Sequence, residues 1–259
     1  MQSQLQSVEN LPRGIRPRKF VFVLLPKFTL LSFTSALECL RISNRMANQV
    51  LYSWELVSEN GAPITCSAEI EFSIDHDLGE LNRDDTIMLC GGENIRAATT
   101  KRLLSWLRRE SRRGLAIAGL CTGAFPMAKA GLLEGKRATI HWENQYSFAE
   151  EFESVELTKS VFIIEGNRMT TAGGTSSIDL MLKLIANDHG EDLANAVADQ
   201  QIYSSIRTTQ DIQRLSVPTR LGVRHPKLGQ VIKMMERNIE EPISPSTLAK
   251  HVAMSTRQL

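Results

Sequence analysis

The sequence LAIAGLCTG, residues 115–123, decides the predicted fold. Its first six residues are apolar, which is typical of a buried β-strand. Gly119, Cys121 and Gly123 then follow the spacing of a nucleophile elbow, a tight strand-to-helix turn in which small residues flank a central nucleophilic side chain. We therefore predict that Cys121 projects at the C-terminal edge of a parallel sheet, where open α/β sheets bind ligands. The N-terminus of the following helix would favour the thiolate form of this cysteine.

Further apolar runs extend this strand into a sheet. We predict buried strands at residues 20–25, 52–57 and 86–90, and short strands at 137–140, 161–164 and 168–171. The predicted helices span 30–47, 95–112, 121–130, 178–186 and 192–203. Buried strands that alternate with helices are typical of parallel βαβ units. The fold class is therefore α/β, a doubly wound, flavodoxin-like parallel sheet with helices on both faces.

The C-terminal part has a different pattern. Residues 204–225 show no clear period and contain Pro218 and Gly222, so we predict a linker there. A helix follows from Pro226, with Val231, Ile232, Met235 and Ile239 near one face, then a helix at 248–252 and the start of another at Thr256. The predicted domains are a disordered tail at 1–18, an α/β domain at 19–203, the linker at 204–225 and a partial all-α helix-turn-helix domain at 226–259.

Charge and cysteine usage limit the possible functions. The whole chain has a formal net charge of +1, but residues 205–259 carry nine basic and four acidic side chains. A basic end on a slightly acidic body indicates where nucleic acid docks. The four cysteines form no CxxC pair, which fits a reducing compartment. Because no apolar run is long enough to span a bilayer and the N-terminus has no signal-peptide pattern, we expect a cytoplasmic protein without a membrane partner.

Five segments resemble, in the same order, the class I glutamine-amidotransferase-like superfamily, in the branch of GlxA-type regulators that carry an AraC-type DNA-binding domain. They are FVFVLLPKFTLLSFTSALECLRISNR (20–45), TIMLCGG (86–92), GLCTGAFPMAKAGLLEGKRATIHWE (119–143), MTTAGGTSSIDLMLKLI (169–185) and HPKLGQVIKMMERNIEEPISPSTLAKHVAMSTRQL (225–259). The group that the chain resembles most is that of regulators of glycine betaine, carnitine and arginine catabolism.

This resemblance implies an effector-sensing domain at 19–203, followed by an AraC/XylS-type helix-turn-helix domain. It implies a transcription regulator that activates catabolic genes in response to a small nitrogenous metabolite, such as a betaine, carnitine or an amino acid. The expected partners are promoter DNA, the small-molecule effector and a second copy of the chain in a homodimer. We expect no cofactor and no metal.

The sequence departs from the pattern of catalytic relatives at two positions. Protease-like relatives have a histidine directly after the nucleophile, where this chain has Thr122, and other enzymes use an acid in the first helix, where it has Ser32. His141 is a possible base for Cys121, but no acid that orients it is identifiable from the sequence. We therefore expect no enzyme activity and interpret Cys121 as a pocket-lining residue. The alternatives are a catalytic nucleophile in a Cys-dependent hydrolase or amidase, or a small residue that merely fits the elbow.

The candidate effector site lies where the sheet's C-terminal edge is predicted. Its predicted residues are Cys121, Thr122, His141, Trp142, Gly174 and Thr175. We expect Trp142 to stack on a cationic ligand, with ordinary packing as the alternative. The turn at residues 173–175 is predicted to offer backbone N–H groups to a carboxylate, and the alternative is a tight turn that simply caps a helix.

The candidate DNA-binding residues are Lys250, Ser255, Thr256 and Arg257, at the start of a recognition helix. Leu248, Ala249 and Val252 are expected to form the core of the preceding scaffold helix. A generic helical hairpin is the alternative interpretation. The family's domain continues beyond the position of Leu259 with further helices. We therefore expect a truncated domain with weak DNA binding, or a sensor that has lost DNA binding.

Overall fold

The chain forms two compact units, residues 1–213 and 214–259. The computed structural model describes residues 16–213, 226–239 and 241–259. The first fifteen residues of the predicted tail and residues 214–225 of the predicted linker lie outside the described residues. Residues 204–213 belong to the first unit, so its boundary lies ten residues later than the sequence predicts. Hydrogen bonds to the α/β domain hold this segment, as described below.

The first unit is built on a six-stranded sheet in the order β2-β1-β5-β6-β10-β9. Five neighbouring strands are parallel, and the edge strand β9 runs antiparallel to β10. This confirms the predicted α/β fold with a mostly parallel sheet. The six strands are β1 (Arg18–Leu24), β2 (Tyr52–Val57), β5 (Thr86–Cys90), β6 (Ala116–Leu120), β9 (Phe162–Glu165) and β10 (Arg168–Thr171). Two small ladders join β3 (Ile64–Thr65) to β4 (Glu71–Phe72), and β7 (Arg137–Ala138) to β8 (Glu156–Leu157).

Both faces of the sheet are covered, as the continuous apolar strands require. In β1, Phe20, Phe22 and Leu24 belong to one buried cluster, whereas Val21 and Val23 belong to the other. The helices of this unit are α1 (Leu30–Met46), α2 (Ile95–Ala98), α3 (Lys101–Arg112), α4 (Ala124–Lys129), α5 (Gln145–Glu151), α6 (Ser176–His189) and α7 (Glu191–Gln200). Helices α1, α6 and α7 contribute to the first cluster, and α2 to α5 contribute to the second.

The single helix predicted at 95–112 is wrong, because the chain forms two helices there. The Thr100 hydroxyl accepts a hydrogen bond from the Leu103 amide at 3.1 Å and so caps a new helix, α3. An N-cap threonine satisfies an amide that the helix itself leaves unpaired. Helix α5 and strands β3, β4 and β8 were not predicted, since they are short and carry no clear hydrophobic period.

The second unit contains helices α8 (Pro226–Arg237) and α9 (Pro245–His251). Among its described residues, Val231, Leu248 and Val252 form a buried apolar cluster, and Ala249 is also buried. The prediction that Leu248, Ala249 and Val252 pack inward is confirmed. Met235 and Ile239, predicted to lie on the apolar face of α8, are exposed instead.

A helical turn starts at Ser255 in the second unit. The Leu259 amide donates to the Ser255 carbonyl at 3.2 Å, and the Gln258 side-chain oxygen accepts from the Ser255 amide at 2.9 Å. The hydrogen bond from the Ser255 amide to the Gln258 side chain is one half of a capping box and marks Ser255 as the N-cap. None of the helices in the described ranges is long and apolar enough to cross a membrane.

Candidate functional site

The elbow predicted from the sequence is present and holds Cys121 in an unusual backbone conformation. Cys121 directly follows β6 and has a φ of 58°, in the left-handed region that non-glycine residues rarely occupy. Only glycine fits at two neighbouring positions. A Cβ at Gly123 would lie 2.3 Å from the Leu89 carbonyl oxygen, and one at Gly173 would lie 2.6 Å from the Cys121 Cβ. The surrounding backbone therefore fixes the position of the thiol.

The Cys121 thiol is buried, with only 6% of the residue exposed. Thr29 donates a hydrogen bond from its hydroxyl to the sulfur at 3.3 Å. Burial is the largest effect and raises the pKa of this thiol. Hydrogen bonds from Thr29 and the Thr122 backbone lower it by less, and the negative charge of Glu143 raises it by less again. Desolvation thus outweighs the expected preference for thiolate and favours the neutral thiol.

A cavity of about 680 Å³ opens beside this thiol. Its walls come from segments that follow β1, β5, β6, β7 and β10, so it lies over the C-terminal edge of the sheet, as predicted. The lining residues are Thr29, Ser67, Gly92, Glu93, Asn94, Ile95, Arg96, Ala97, Cys121, Thr122, His141, Glu143, Asn144 and Gly174. The volume is sufficient for a small metabolite.

Four of the six predicted effector-site residues, Cys121, Thr122, His141 and Gly174, line this cavity, whereas Trp142 and Thr175 do not. Trp142 is adjacent to the cavity wall, 39% exposed, with its ring 5.6 Å from the His141 ring.

The proposed anion cradle at residues 173–175 is already occupied by protein groups. The Gly174 amide donates to the Ser32 hydroxyl at 2.7 Å, and the Thr175 hydroxyl accepts from Arg207 at 2.8 Å. This arrangement favours the alternative interpretation, a tight turn before helix α6, because the Gly174 amide is not available to a ligand carboxylate.

His141 does have an acidic neighbour, which the sequence alone did not identify. Glu143 places a carboxylate oxygen 3.6 Å from Nδ1 of His141. That separation is longer than a hydrogen bond, and the Glu143 side chain is 63% exposed. Among the hydrogen bonds of the described ranges, the sulfur of Cys121 is joined to Thr29 and none joins it to His141. The three groups therefore share one cavity without the linked geometry of a catalytic triad.

Sequence reasoning missed several residues that determine the charge of the cavity. Glu93 and Glu143 supply two carboxylates to its lining. Arg96 is the counter-charge in that lining, but its guanidinium pairs with Glu151 and lies 4.9 Å from the Phe125 ring centroid. With two acidic side chains and one basic side chain, the lining has a formal excess of one negative charge. Glu93 follows the Gly-Gly pair after β5, so its position next to the elbow strand was the signal that could have identified it.

The second unit exposes its candidate DNA-binding side chains. Lys250, Ser255, Thr256 and Arg257 are all exposed. Ser255 begins the last helical turn, so the side chains of Thr256 and Arg257 belong to its first residues. Positions at the start of a recognition helix are the ones that meet base edges and phosphates in helix-turn-helix proteins.

The fold and the elbow agree with a comparison of the sequence with known families. Residues 18–187, which run from β1 through most of α6, match the sequence model of the DJ-1/PfpI family. The chain belongs to the DJ-1/PfpI family. Cys121 and all the residues that line the cavity lie inside the matched region.

Curated relatives connect this DJ-1/PfpI domain with transcription regulators. The chain is 43% identical over 240 residues to the HTH-type transcriptional regulator CdhR of Pseudomonas aeruginosa, covering 93% of this chain and 71% of the relative. It is 36% identical over 248 residues to the HTH-type transcriptional regulator GbdR of the same species, covering 96% and 68%. Both matches are longer than the first unit, so they extend into the second.

A solved structure supports the same grouping. The crystal structure of an AraC family transcriptional regulator from Pseudomonas putida superposes with a TM-score of 0.62 at 25% identity, covering 71% of this chain and all of that one. The chain is thus a DJ-1/PfpI-family protein whose relatives include AraC-type regulators.

Proposed function

We propose that this chain is a cytoplasmic, homodimeric transcription regulator of the AraC type, in which the first unit binds a small nitrogenous effector and the second contacts promoter DNA. The observation that carries the proposal is the cavity beside Cys121, which has the size and polarity of a metabolite site and lacks an assembled catalytic group. The similarity to CdhR and GbdR over both units supports the regulatory role.

A binding role fits the cavity better than a catalytic one. A cysteine nucleophile needs a lowered pKa or a hydrogen-bonded base, whereas burial raises the pKa of Cys121 and Thr29 is its hydrogen-bond partner. Thr122 uses its hydroxyl to hold the Gly92 carbonyl at 2.8 Å, which is a structural role. We therefore propose that Cys121 lines the site as a neutral thiol and that the chain is not a hydrolase.

The charge of the cavity favours an effector with a cationic nitrogen. Glu93 and Glu143 belong to the lining, and their carboxylates attract an ammonium or trimethylammonium group even though both residues are exposed. Betaine, carnitine and basic amino acids all carry such a group. In this arrangement Glu143 replaces Trp142 as the residue that we propose recognises the cation.

A thermal-shift screen of the 259-residue chain with glycine betaine, carnitine and arginine tests the effector class. We expect at least one compound to raise the unfolding midpoint, with calorimetry then giving its affinity. Glu143→Gln should weaken that binding by about tenfold, as expected for the loss of one charge-assisted contact. The matched control is Glu153→Gln, an exposed carboxylate outside the lining, which should leave affinity unchanged. Cationic ligands that bind equally to both variants would refute the role of Glu143.

The DNA-binding role has its own test. Lys250→Ala and Arg257→Ala should each weaken binding to promoter DNA and lower the slope of log affinity against log salt by about one. Variants that leave this slope unchanged would show that these residues do not contact phosphates.

A further inference from the structure

Residues 204–213 form a strap that follows α7 and ends the first unit. The sequence gives no hydrophobic period here and predicts a linker, but the structure fastens this segment to the α/β domain at two places. One attachment is made by Arg207 and the other by Asp211 and Gln213. Both lie next to segments that line the cavity beside Cys121.

The first attachment is a buried ion pair. Asp179, on the first turn of α6, is fully buried and accepts hydrogen bonds from the Arg207 backbone amide at 2.7 Å and from its guanidinium at 2.9 Å. Tyr203 donates its hydroxyl to the same carboxylate at 3.0 Å. The Arg207 guanidinium also donates to Thr175, the residue after Gly174 in the cavity wall.

The second attachment is made by the end of the strap. The Val161 amide donates to the Asp211 carbonyl at 2.9 Å, and the Gln213 amide donates to the Lys159 carbonyl at 3.1 Å. The Gln213 side-chain nitrogen donates to the Thr139 hydroxyl at 2.8 Å and to the Ile140 carbonyl at 2.9 Å. Ile140 directly precedes His141, so this amide group holds the start of the His141 segment.

The Gln213 attachment is also incompletely satisfied. Its side-chain nitrogen faces oxygen atoms of Thr139, Ile140 and Ser160, so the orientation of the amide group is fixed by these acceptors. Its side-chain oxygen is buried and has no hydrogen-bond partner in the part of the chain that the structure describes.

We propose that Arg207 and Gln213 are positioning residues of the cavity, and that attachment of the strap and occupancy of the cavity are thermodynamically linked. The strap holds the Gly174 turn at one end and the His141 segment at the other. A ligand that shifts either segment changes the free energy of strap attachment. By thermodynamic linkage, attachment of the strap changes the free energy of ligand binding by the same amount. Because the chain continues from Gln213 to the second unit, the strap is the covalent route from the cavity to the DNA-binding helices. The inference rests on the proposed effector site.

The test uses Gln213 rather than Arg207, because removing Arg207 would leave Asp179 buried without its counter-charge and destabilise the unit as a whole. We compare Gln213→Ala and Gln213→Glu with Gln210→Ala, an exposed glutamine of the same strap. The probe is iodoacetamide, and the measured quantity is its rate of reaction with Cys121 in the full chain, read by peptide mass spectrometry. No effector is needed, so this test is independent of the effector screen.

Releasing the His141 segment should open the cavity to the probe. We expect Gln213→Ala to raise the rate at which Cys121 reacts with iodoacetamide by about fivefold. This is the change in an equilibrium constant that corresponds to the net contribution of one hydrogen bond. Gln213→Glu should raise it further, since a carboxylate would face three oxygen atoms, whereas Gln210→Ala should match the parent chain. Cys90, which is 1% exposed, should remain unlabelled throughout. Equal rates in the two alanine variants would overturn the proposal, as would simultaneous labelling of Cys90, which would indicate global unfolding.

The reverse direction is tested by occupying the cavity covalently. Carboxamidomethylation of Cys121 should change hydrogen exchange by about fivefold at the Val161 and Gln213 amides, which make the strap's backbone hydrogen bonds. The Met169 amide of the central sheet is the internal control and should be unaffected. Unchanged exchange at Val161 and Gln213 would refute the linkage while leaving effector binding and regulation intact.

Discussion

The two units of this protein differ in the apolar clusters that stabilise each of them internally. The first has two extensive buried clusters, one on each face of the sheet, whereas the second is centred on Val231, Leu248 and Val252. A large core tolerates local strain, and the first unit carries Cys121 at a positive φ within its sheet edge. The described part of the second unit has a smaller apolar cluster, so we expect its stability to depend more strongly on single apolar contacts and helix caps.

The largest effect should come from filling the elbow of the first unit. Gly123→Ala places a Cβ 2.3 Å from the Leu89 carbonyl oxygen, in backbone that cannot move without disturbing β5. We expect a loss of about 4 kcal/mol in the free energy of unfolding, at the high end for overpacking. Gly79→Ala is the matched control, because its nearest atom would be 3.9 Å away. Chemical denaturation of both variants measures the difference; similar stability would show that the elbow relaxes easily.

The next effect should separate the two units. Leu248→Ala truncates a buried side chain of the apolar cluster in the described part of the second unit and should destabilise that unit by about 3 kcal/mol. Because the first unit has two extensive buried clusters of its own, we expect its unfolding midpoint to stay unchanged. Hydrogen exchange, read separately in the peptides of each unit, measures this. Met235→Ala, at a position that is 53% exposed, is the control. A loss of protection in both units would show that they unfold together.

A pair of helix caps compares the units directly. Ser244 accepts from the Thr247 amide at 3.2 Å at the start of α9, and Thr100 accepts from the Leu103 amide at 3.1 Å at the start of α3. Either alanine substitution should cost about 1 kcal/mol locally. That loss should clearly lower the unfolding midpoint of the second unit and barely lower the midpoint of the first. Comparable midpoint shifts in the two units would contradict the difference in reserve stability.

The smallest effect should be a pH dependence within the first unit. The Asp77 carbonyl raises the pKa of His76 above its usual value, as does Glu55, whose carboxylate lies 2.7 Å from the ring. The protonated form is therefore stabilised by folding, and this contribution is lost as the pH rises through the raised pKa. The advantage of the parent chain over His76→Gln should fall as the pH rises above about 6.5, by less than about 1 kcal/mol because the side chain is partly exposed. A stability advantage of the parent chain that grows as the pH rises would contradict this prediction.

Three strands have the bounds that the sequence predicted, namely those at 52–57, 86–90 and 168–171. In β5 (86–90) the largely apolar run TIMLC is buried on both faces, as expected for a central parallel strand. The helix at 95–112 was predicted as continuous because its composition is helical throughout, and only the cap at Thr100 divides it. Whether a threonine caps a helix or lies within one depends on its backbone conformation, which composition does not reveal.

The sequence by itself determined the α/β fold, the elbow around Cys121 and the edge of the sheet at which the cavity lies, because each follows from local patterns and sheet topology. Only the tertiary structure decided the chemistry of that site. In the folded chain Glu93 and Glu143 line the cavity, and Arg207 donates a hydrogen bond to the Thr175 hydroxyl. Burial raises the pKa of the Cys121 thiol, and hydrogen bonds attach residues 204–213 to the domain. These properties depend on distances and desolvation between residues far apart in the chain, which no local pattern records.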